Sequence, residues 1–140
     1  MYLTEILTCE RIVIDTSGER FLDKEAVLLE LSRLLAPPLS LDPAEAHRLL
    51  SAREELQSTG IGDGIAIPHA ATEAAARQAA ALLLAPKGLD FASIDRCPVS
   101  IVFGVLGPTR SPGEHLRTLA RISRLLREPA TRTSLLECTS

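Results

Sequence analysis

Hydrophobic positions recur at helical spacing in three parts of the chain. After Asp23, a residue suited to cap a helix, apolar residues follow at steps of three and four up to Pro37. Asp42, Pro43 and Glu45 form a capping signature, which predicts a second helix from residue 42 to about 57. Ser111–Glu114 repeats this signature before a third helix to about residue 128, and Pro129 can begin a short fourth one.

Other segments have the composition of β-strands. The run 11–14 is rich in β-branched residues, and the run 99–106 is almost continuously apolar, which predicts a strand buried on both faces. For 79–85, closed by Pro86 and Gly88, context favours a buried strand, the alanines favour helix and periodicity does not decide between them. The composition of 71–78 permits helix or loop. Strands alternating with helices predict an α/β sandwich with a mixed, partly parallel central sheet and helices on both faces.

Composition limits the functions that this chain can have. At 140 residues and 46% hydrophobic composition we expect one globular domain over residues 1–140. Aromatic residues make up only 3% and the net charge is −3, which argues against nucleic-acid binding. We see neither a signal peptide nor a membrane span, and the three widely spaced cysteines indicate reduced thiols, so a cytoplasmic location is expected.

The segment 58–70 is the strongest candidate for chemistry. Gly60, Gly62 and Gly64 allow positive φ angles or close backbone approach, and Pro68 has no amide hydrogen. Together they predict a rigid mount for His69. A histidine there can serve as nucleophile, proton carrier or metal ligand.

The periodicity of two predicted helices places two further polar residues on inward-facing positions. In the second helix Arg53 shares a predicted apolar face, and in the third helix His115 continues a stripe of apolar residues by one step of four. The predicted apolar positions are Ala46, Leu49, Leu50 and Leu56 in the second helix, and Leu116, Leu119, Ala120, Ile122, Leu125 and Leu126 in the third. Each residue also has a purely structural alternative. Arg53 can pair with an acid at the edge of the apolar face, and His115 can be a core or helix-capping histidine.

A mounted histidine, a second histidine at a helix start and an inward arginine suit a phosphoryl group. An imidazole nitrogen can attack phosphorus, while the guanidinium and helix amides hold the non-bridging oxygens. The chain has no Walker A motif, no dinucleotide fingerprint and no G-x-S-x-G elbow. A metal-dependent hydrolase using His69, His115 and Asp63 would lack any local pair of ligands.

The segment from Arg53 to Ala70 closely resembles the active-site signature of phosphotransferase-system enzyme IIA domains of the fructose/mannitol class, most of all the nitrogen-regulatory branch. Further similar segments are 88–91, Asp95 with 98–99, and 113–127. The resemblance implies that His69 is the phosphorylated histidine, His115 a second active-site histidine and Arg53 a phosphate-facing arginine.

The resemblance also implies the partners. The donor would be the phosphocarrier HPr or its nitrogen-branch relative, and the recipient a IIB domain or a regulated target protein, with no cofactor or metal. The site loop would be shaped by Ser58, Thr59, Gly60, Gly62, Gly64 and Pro68. An interaction module that has lost phosphotransfer is the alternative that the sequence leaves open.

Overall fold

The computed structural model describes residues 5–21, 23–56, 59–91 and 97–137. In chain order its helices are α1 (Lys24–Leu35), α2 (Pro43–Leu56), α3 (Pro112–Arg127) and α4 (Pro129–Leu136). Its strands are β1 (Ile12–Ile14), β2 (Gly60–Gly62), β3 (Ile65–Ala66), β4 (His69–Thr72), β5 (Ala79–Leu89) and β6 (Val99–Pro108). Within these ranges, no helix combines the length and the apolar character that a bilayer crossing requires.

The described strands form one mixed sheet around β6. The order is β1-β5-β6-β3-β2, and β4 also pairs with β6. The pairs β1·β5, β3·β6 and β4·β6 are parallel, whereas β5·β6 and β2·β3 are antiparallel. This confirms the predicted mixed, partly parallel sheet.

Strands β3 and β4 are two parts of one interrupted strand beside β6. Ile65 pairs with Ile101 and His69 pairs with Val105, so the register offset is the same on both sides of the interruption. The interruption falls at Ile67 and Pro68, because proline has no N–H to donate to the ladder. The Pro68 carbonyl still accepts a hydrogen bond from the Val105 amide at 3.0 Å. The strand therefore stays in place while the backbone at Ile67 is released for other partners.

The sheet separates two apolar cores, with helices on both faces as predicted. Alternate residues of β5 point to opposite sides, and both sides are buried because α1 and α2 cover one face while α3 and α4 cover the other. On the first face α1 packs closely against β6 at Gly104, where a Cβ atom would lie 2.8 Å from Leu31 Cδ2. Only glycine lets α1 approach β6 so closely.

Helix ends agree with the capping signals in two cases and not in the third. Asp23 accepts a hydrogen bond from the Ala26 amide, and Asp42 accepts one from the Ala44 amide at 2.9 Å. Ser111 forms no side-chain cap, so the capping prediction for α3 is wrong in that respect. Its carbonyl accepts from the His115 amide instead.

Two segments that the sequence left open or misassigned are strands. The run from residue 79 is strand β5, and it continues through Pro86 and Gly88 to Leu89 after a register irregularity past Leu84. Pairing with β1 on one side and β6 on the other outweighs the helix preference of its alanines. Residues 69–72 also form a strand, so the prediction of helix or loop from residue 71 is wrong for its first two residues.

The apolar faces of α2 and α3 are narrower than predicted. Leu56 is 81% exposed, Leu116 66% and Leu125 44%, and Ala120 is exposed as well. The buried positions of α2 are Ala46, Leu50 and Glu54, and those of α3 are Thr118, Ile122 and Leu126. Each helix thus places a polar side chain inside and leaves apolar ones at the surface, and of the exposed residues Leu116 and Ala120 line the depression that contains His69.

Candidate functional site

His69 begins strand β4 directly after the proline interruption. Its Nδ1 lies 2.7 Å from the carbonyl oxygen of Ile67, one of the two residues at the interruption. Since a carbonyl can only accept, Nδ1 carries the proton and donates it. Nε2 is then the nitrogen with a free lone pair, so the backbone itself selects the tautomer.

The electrostatics of the site favour a neutral imidazole. Burial lowers the pKa of His69 below its ordinary value of 6.5, and the Arg53 guanidinium lowers it further. The hydrogen bond to Ile67 and the Glu54 carboxylate oppose this shift only in part. At pH 7 the His69 ring is therefore uncharged and nucleophilic at Nε2.

His115 lies beside His69, as helix phase predicts. The two ring centroids are 5.8 Å apart and the ring planes are tilted by 54°. Burial lowers the pKa of His115, and the neighbouring His69 lowers it further. Two neutral imidazoles, from β4 and from the first turn of α3, thus share one site.

Arg53 and His69 line the same open depression, which has a volume of about 510 Å³. Its walls come from the end of α2, the start of β2 and the exposed side of α3. The lining residues are Arg53, Thr59, Gly60, Ile61, Ile67, His69, Leu116, Leu119, Ala120 and Ser123. The depression is open to solvent, lined mostly by apolar surface with His69 and Arg53 among it, and large enough to admit a side chain of another protein.

A buried glutamate that the sequence did not reveal as functional supports the histidine mount. Glu54 accepts from the Thr59 amide at 2.8 Å and from the Thr59 hydroxyl at 2.7 Å, and it pairs with Lys24 Nζ at 3.1 Å. The Thr59 carbonyl in turn accepts from the Ile67 amide at 3.0 Å. A continuous series of hydrogen bonds therefore runs from Glu54 through Thr59 and Ile67 to the His69 ring.

A signal for Glu54 is present in the sequence. It continues the stripe of Ala46 and Leu50 by one further step of four, and an acid on such a stripe must be paired or exposed. The buried face of α2 consists of residues 46, 50 and 54, whereas Leu56, which the sequence assigned to this face, is exposed. Arg53, the neighbouring residue, is half-buried at the edge of this face.

The glycines form a hairpin rather than a cradle. Asp63 and Gly64 have φ angles of 57° and 75° and form the two-residue turn between β2 and β3, the geometry that Asp-Gly favours. Gly62 has a φ of 91° at a register irregularity of β2. Gly60 lies in β2 and outside the positive-φ set, and it contributes to the wall of the depression.

The structure brings most of the predicted site residues together. His69, His115 and Arg53 surround the site, Pro68 interrupts the strand, and Thr59 and Gly60 line the depression. Ser58, also predicted to shape the loop, lies outside the described residues. Within the part of the chain that the structure describes, no group of three or more His, Cys, Asp or Glu side chains is arranged to hold a metal ion.

Comparison with solved structures defines the class of protein. The fold matches the nitrogen regulatory protein IIA-Ntr of Neisseria meningitidis with a TM-score of 0.90 at 31% identity, covering 99% of this chain and 92% of that one. It also matches the mannitol IIA of Escherichia coli with a TM-score of 0.76 at 20% identity, covering 95% of this chain and 92% of that one. The fold is that of enzyme IIA domains.

The sequence comparison states the family. Residues 5–140 match the model of the phosphoenolpyruvate-dependent sugar phosphotransferase system, EIIA 2, and the chain belongs to this family. It is 35% identical to the nitrogen regulatory protein of Pseudomonas aeruginosa, over 89% of this chain and 79% of the relative. It is also 35% identical to the fructose-specific EIIABC component of Bacillus subtilis, over its whole length but only 22% of that relative.

Proposed function

We propose that this protein is a phosphoryl carrier that accepts phosphate on Nε2 of His69 from an HPr-like phosphocarrier. The observation that carries the proposal is the hydrogen bond from His69 Nδ1 to the Ile67 carbonyl, which leaves Nε2 as the nucleophile. Membership of the EIIA family supports the same reaction. The proposed unit is one EIIA type-2 domain over residues 1–140, acting in the cytoplasm where such a donor is charged.

In the proposed reaction the Nε2 lone pair attacks the phosphorus of the donor's phosphohistidine. The bond from His69 Nε2 to phosphorus forms as the donor's nitrogen–phosphorus bond breaks, and the donor imidazole keeps the electron pair. No proton leaves His69, so the ring gains positive charge. The Ile67 carbonyl stabilises that charge through Nδ1–H, while Arg53 and His115 stand beside the phosphoryl oxygens.

The surface around His69 fits a protein partner. The depression is open, and its rim carries Leu116, a leucine with 66% of its surface exposed. Leu116 extends the apolar lining that Leu119 and Ala120 give the depression, and a contiguous apolar patch beside polar side chains is typical of a contact surface. A donor protein can thus bury Leu116 while its phosphohistidine reaches the Nε2 of His69.

Two outputs fit the relatives, and we favour regulation. Nitrogen regulatory proteins are among the relatives that match most of this chain. Regulation would then act through target proteins that bind according to the phosphorylation state. Transfer to a separate IIB domain is the second candidate, since the mannitol IIA was solved with phosphorylated IIB and the Bacillus relative is named as an EIIABC protein.

A transfer assay tests the carrier function. Incubation with labelled phosphoenolpyruvate, enzyme I and HPr should leave an acid-labile, base-stable phosphate on the wild type and on His47→Ala. It should leave none on His69→Ala. His47 is the matched control because it is a histidine outside the lining of the depression. It lies on α2, where its Nε2 is 2.8 Å from Glu25. An unlabelled wild type, or equal labelling of His69→Ala, would overturn the proposal.

The same labelled protein separates the two outputs. Added IIB domain should remove the label rapidly if the protein serves sugar transport. If the protein is regulatory, the label should persist, and the phosphorylated and unphosphorylated forms should retain different proteins in a pull-down.

A further inference from the structure

Two buried polar atoms near the second histidine lack a protein partner among the described residues. They are Nδ1 of His115 and Nε2 of Gln78. Gln78 is only 4% exposed, and buried amides and imidazoles are normally hydrogen-bonded. Both atoms lie close to one point: a Cβ atom on Gly107 would be 3.3 Å from His115 Nδ1 and 3.7 Å from Gln78 Nε2.

Thr118 sets the direction of the Gln78 amide. Its hydroxyl donates to Gln78 Oε1 at 2.7 Å, so the oxygen of the amide faces Thr118. The amino group is then directed to Gly107 and His115. Because Gly107 has no side chain, nothing of its own fills the space between the two nitrogens.

We propose that Gln78 is a positioning residue that donates a hydrogen bond to Nδ1 of His115, and that Thr118 orients Gln78 for this task. The bond forms directly after a small rotation of the amide, or through one water molecule that accepts from the Gln78 amide and donates to Nδ1; in either arrangement Nδ1 is the acceptor. A neutral His115 with Nδ1 as acceptor carries its proton on Nε2.

With this tautomer the two histidines carry their protons on different ring nitrogens, so that one can act as nucleophile and the other as hydrogen-bond donor. His69 is held by Ile67 with its proton on Nδ1 and a free Nε2. His115 is held by Gln78 with its proton on Nε2, the nitrogen that is not buried against Gly107. His115 can then donate to a phosphoryl oxygen on His69 without first being protonated. The role in phosphotransfer rests on the proposed function, whereas the tautomer does not.

Long-range proton–nitrogen NMR of the unphosphorylated, ¹⁵N-labelled protein tests the tautomer directly. At slightly alkaline pH the wild type should show His115 with its proton on Nε2 and His69 with its proton on Nδ1. Gln78→Leu should give a mixture at His115, and Gln78→Glu should move the proton to Nδ1, because a carboxylate only accepts. His69 should keep its tautomer in every variant.

Thr118 offers a second, milder pair of variants. Thr118→Val removes the hydroxyl that holds the Gln78 oxygen, so His115 should again show mixed tautomers. Thr118→Ser keeps the hydroxyl and should restore the wild-type spectrum. Loss of this one hydrogen bond should slow phosphotransfer about tenfold in Gln78→Leu and Thr118→Val, with Thr118→Ser close to wild type.

A wild-type His115 with its proton on Nδ1 would overturn the inference, even if His69 is phosphorylated normally. An unchanged His115 spectrum in both Gln78→Leu and Thr118→Val would overturn it as well. A wild type that shows the expected tautomers but accepts no phosphate would instead contradict the proposed function alone.

Discussion

Replacing Glu54 should both destabilise the protein and displace the backbone segment that positions His69. The Glu54 side chain is only 3% exposed. Its carboxylate accepts hydrogen bonds from the Thr59 amide and the Thr59 hydroxyl and forms an ion pair with Lys24. In Glu54→Ala the Thr59 groups remain buried without an acceptor, since Thr59 is 5% exposed. Lys24, which is 24% exposed, can turn to water.

The expected cost follows from these contacts. A hydrogen bond to a charged group contributes about 1.5–3 kcal/mol, and an unpaired buried donor costs about 1–3 kcal/mol. Discounting the Lys24 pair for its exposure, Glu54→Ala should lose about 3 kcal/mol of unfolding free energy. Glu54→Gln retains one acceptor oxygen and should lose roughly 1–2 kcal/mol.

Urea denaturation measures this loss. With a slope of about 2 kcal/mol per molar, Glu54→Ala should lower the midpoint by roughly 1.5 M. Glu55→Ala is the matched control because Glu55 is the exposed neighbour on α2, and it should change stability by no more than about 0.5 kcal/mol. Glu54→Gln, which stays folded, should transfer phosphate more slowly than Glu55→Ala because Thr59 no longer holds Ile67 firmly.

A Glu54→Ala variant as stable as Glu55→Ala would show that the buried Glu54 contacts do not stabilise the fold. A Glu54→Gln variant that lost stability but accepted phosphate at the wild-type rate would show that the hydrogen-bond series to His69 has no functional effect.

Three further predictions concern the site. Arg53→Lys should slow phosphotransfer to His69 about tenfold or more in rapid-quench assays, because an ammonium cannot bind two phosphoryl oxygens as a guanidinium does. Burial lowers the pKa of His69 and of His115, so below pH 6.5 the unfolded chain binds more protons than the folded protein. Stability should therefore fall with pH from 6.5 down to the folded-state pKa values, and less steeply in His69→Ala, as denaturation at several pH values would show. Gly62→Ala should cost about 1–2 kcal/mol in urea denaturation because its φ is 91°, whereas Gly60→Ala should cost less.

Each of these has a contrary result. Equal rates for Arg53→Lys and wild type would remove the guanidinium from the mechanism. Stability that rises as the pH falls below 6.5 would contradict the buried neutral histidines. A Gly62→Ala variant as stable as the wild type would show that the hairpin does not require this glycine.

Local signals in the sequence predict much of the fold and the inward placement of His69 and His115, which lie side by side. Asp23 and Asp42 cap their helices because a cap depends on near neighbours in the chain. The long apolar run of β6 is buried on both faces, as its composition indicates. His69 and His115 meet because one follows a strand interruption and the other lies on the inward phase of a helix.

What the sequence does not predict depends on partners distant in the chain. Strand β5 is rich in alanine and is a strand only because β1 and β6 pair with it. Glu54 can be buried because Thr59 and Lys24 satisfy its oxygens. Gln78 becomes relevant only once Gly107 and α3 surround it.

The position of the phosphate tests directly whether Nε2 of His69 accepts the phosphoryl group. Long-range proton–nitrogen NMR of the phosphorylated, ¹⁵N-labelled protein should show phosphorus bound to Nε2 of His69, with Nδ1 still protonated and hydrogen-bonded to the Ile67 carbonyl. Phosphate on Nδ1 of His69, or on His115 or His47 in place of His69, would contradict the account.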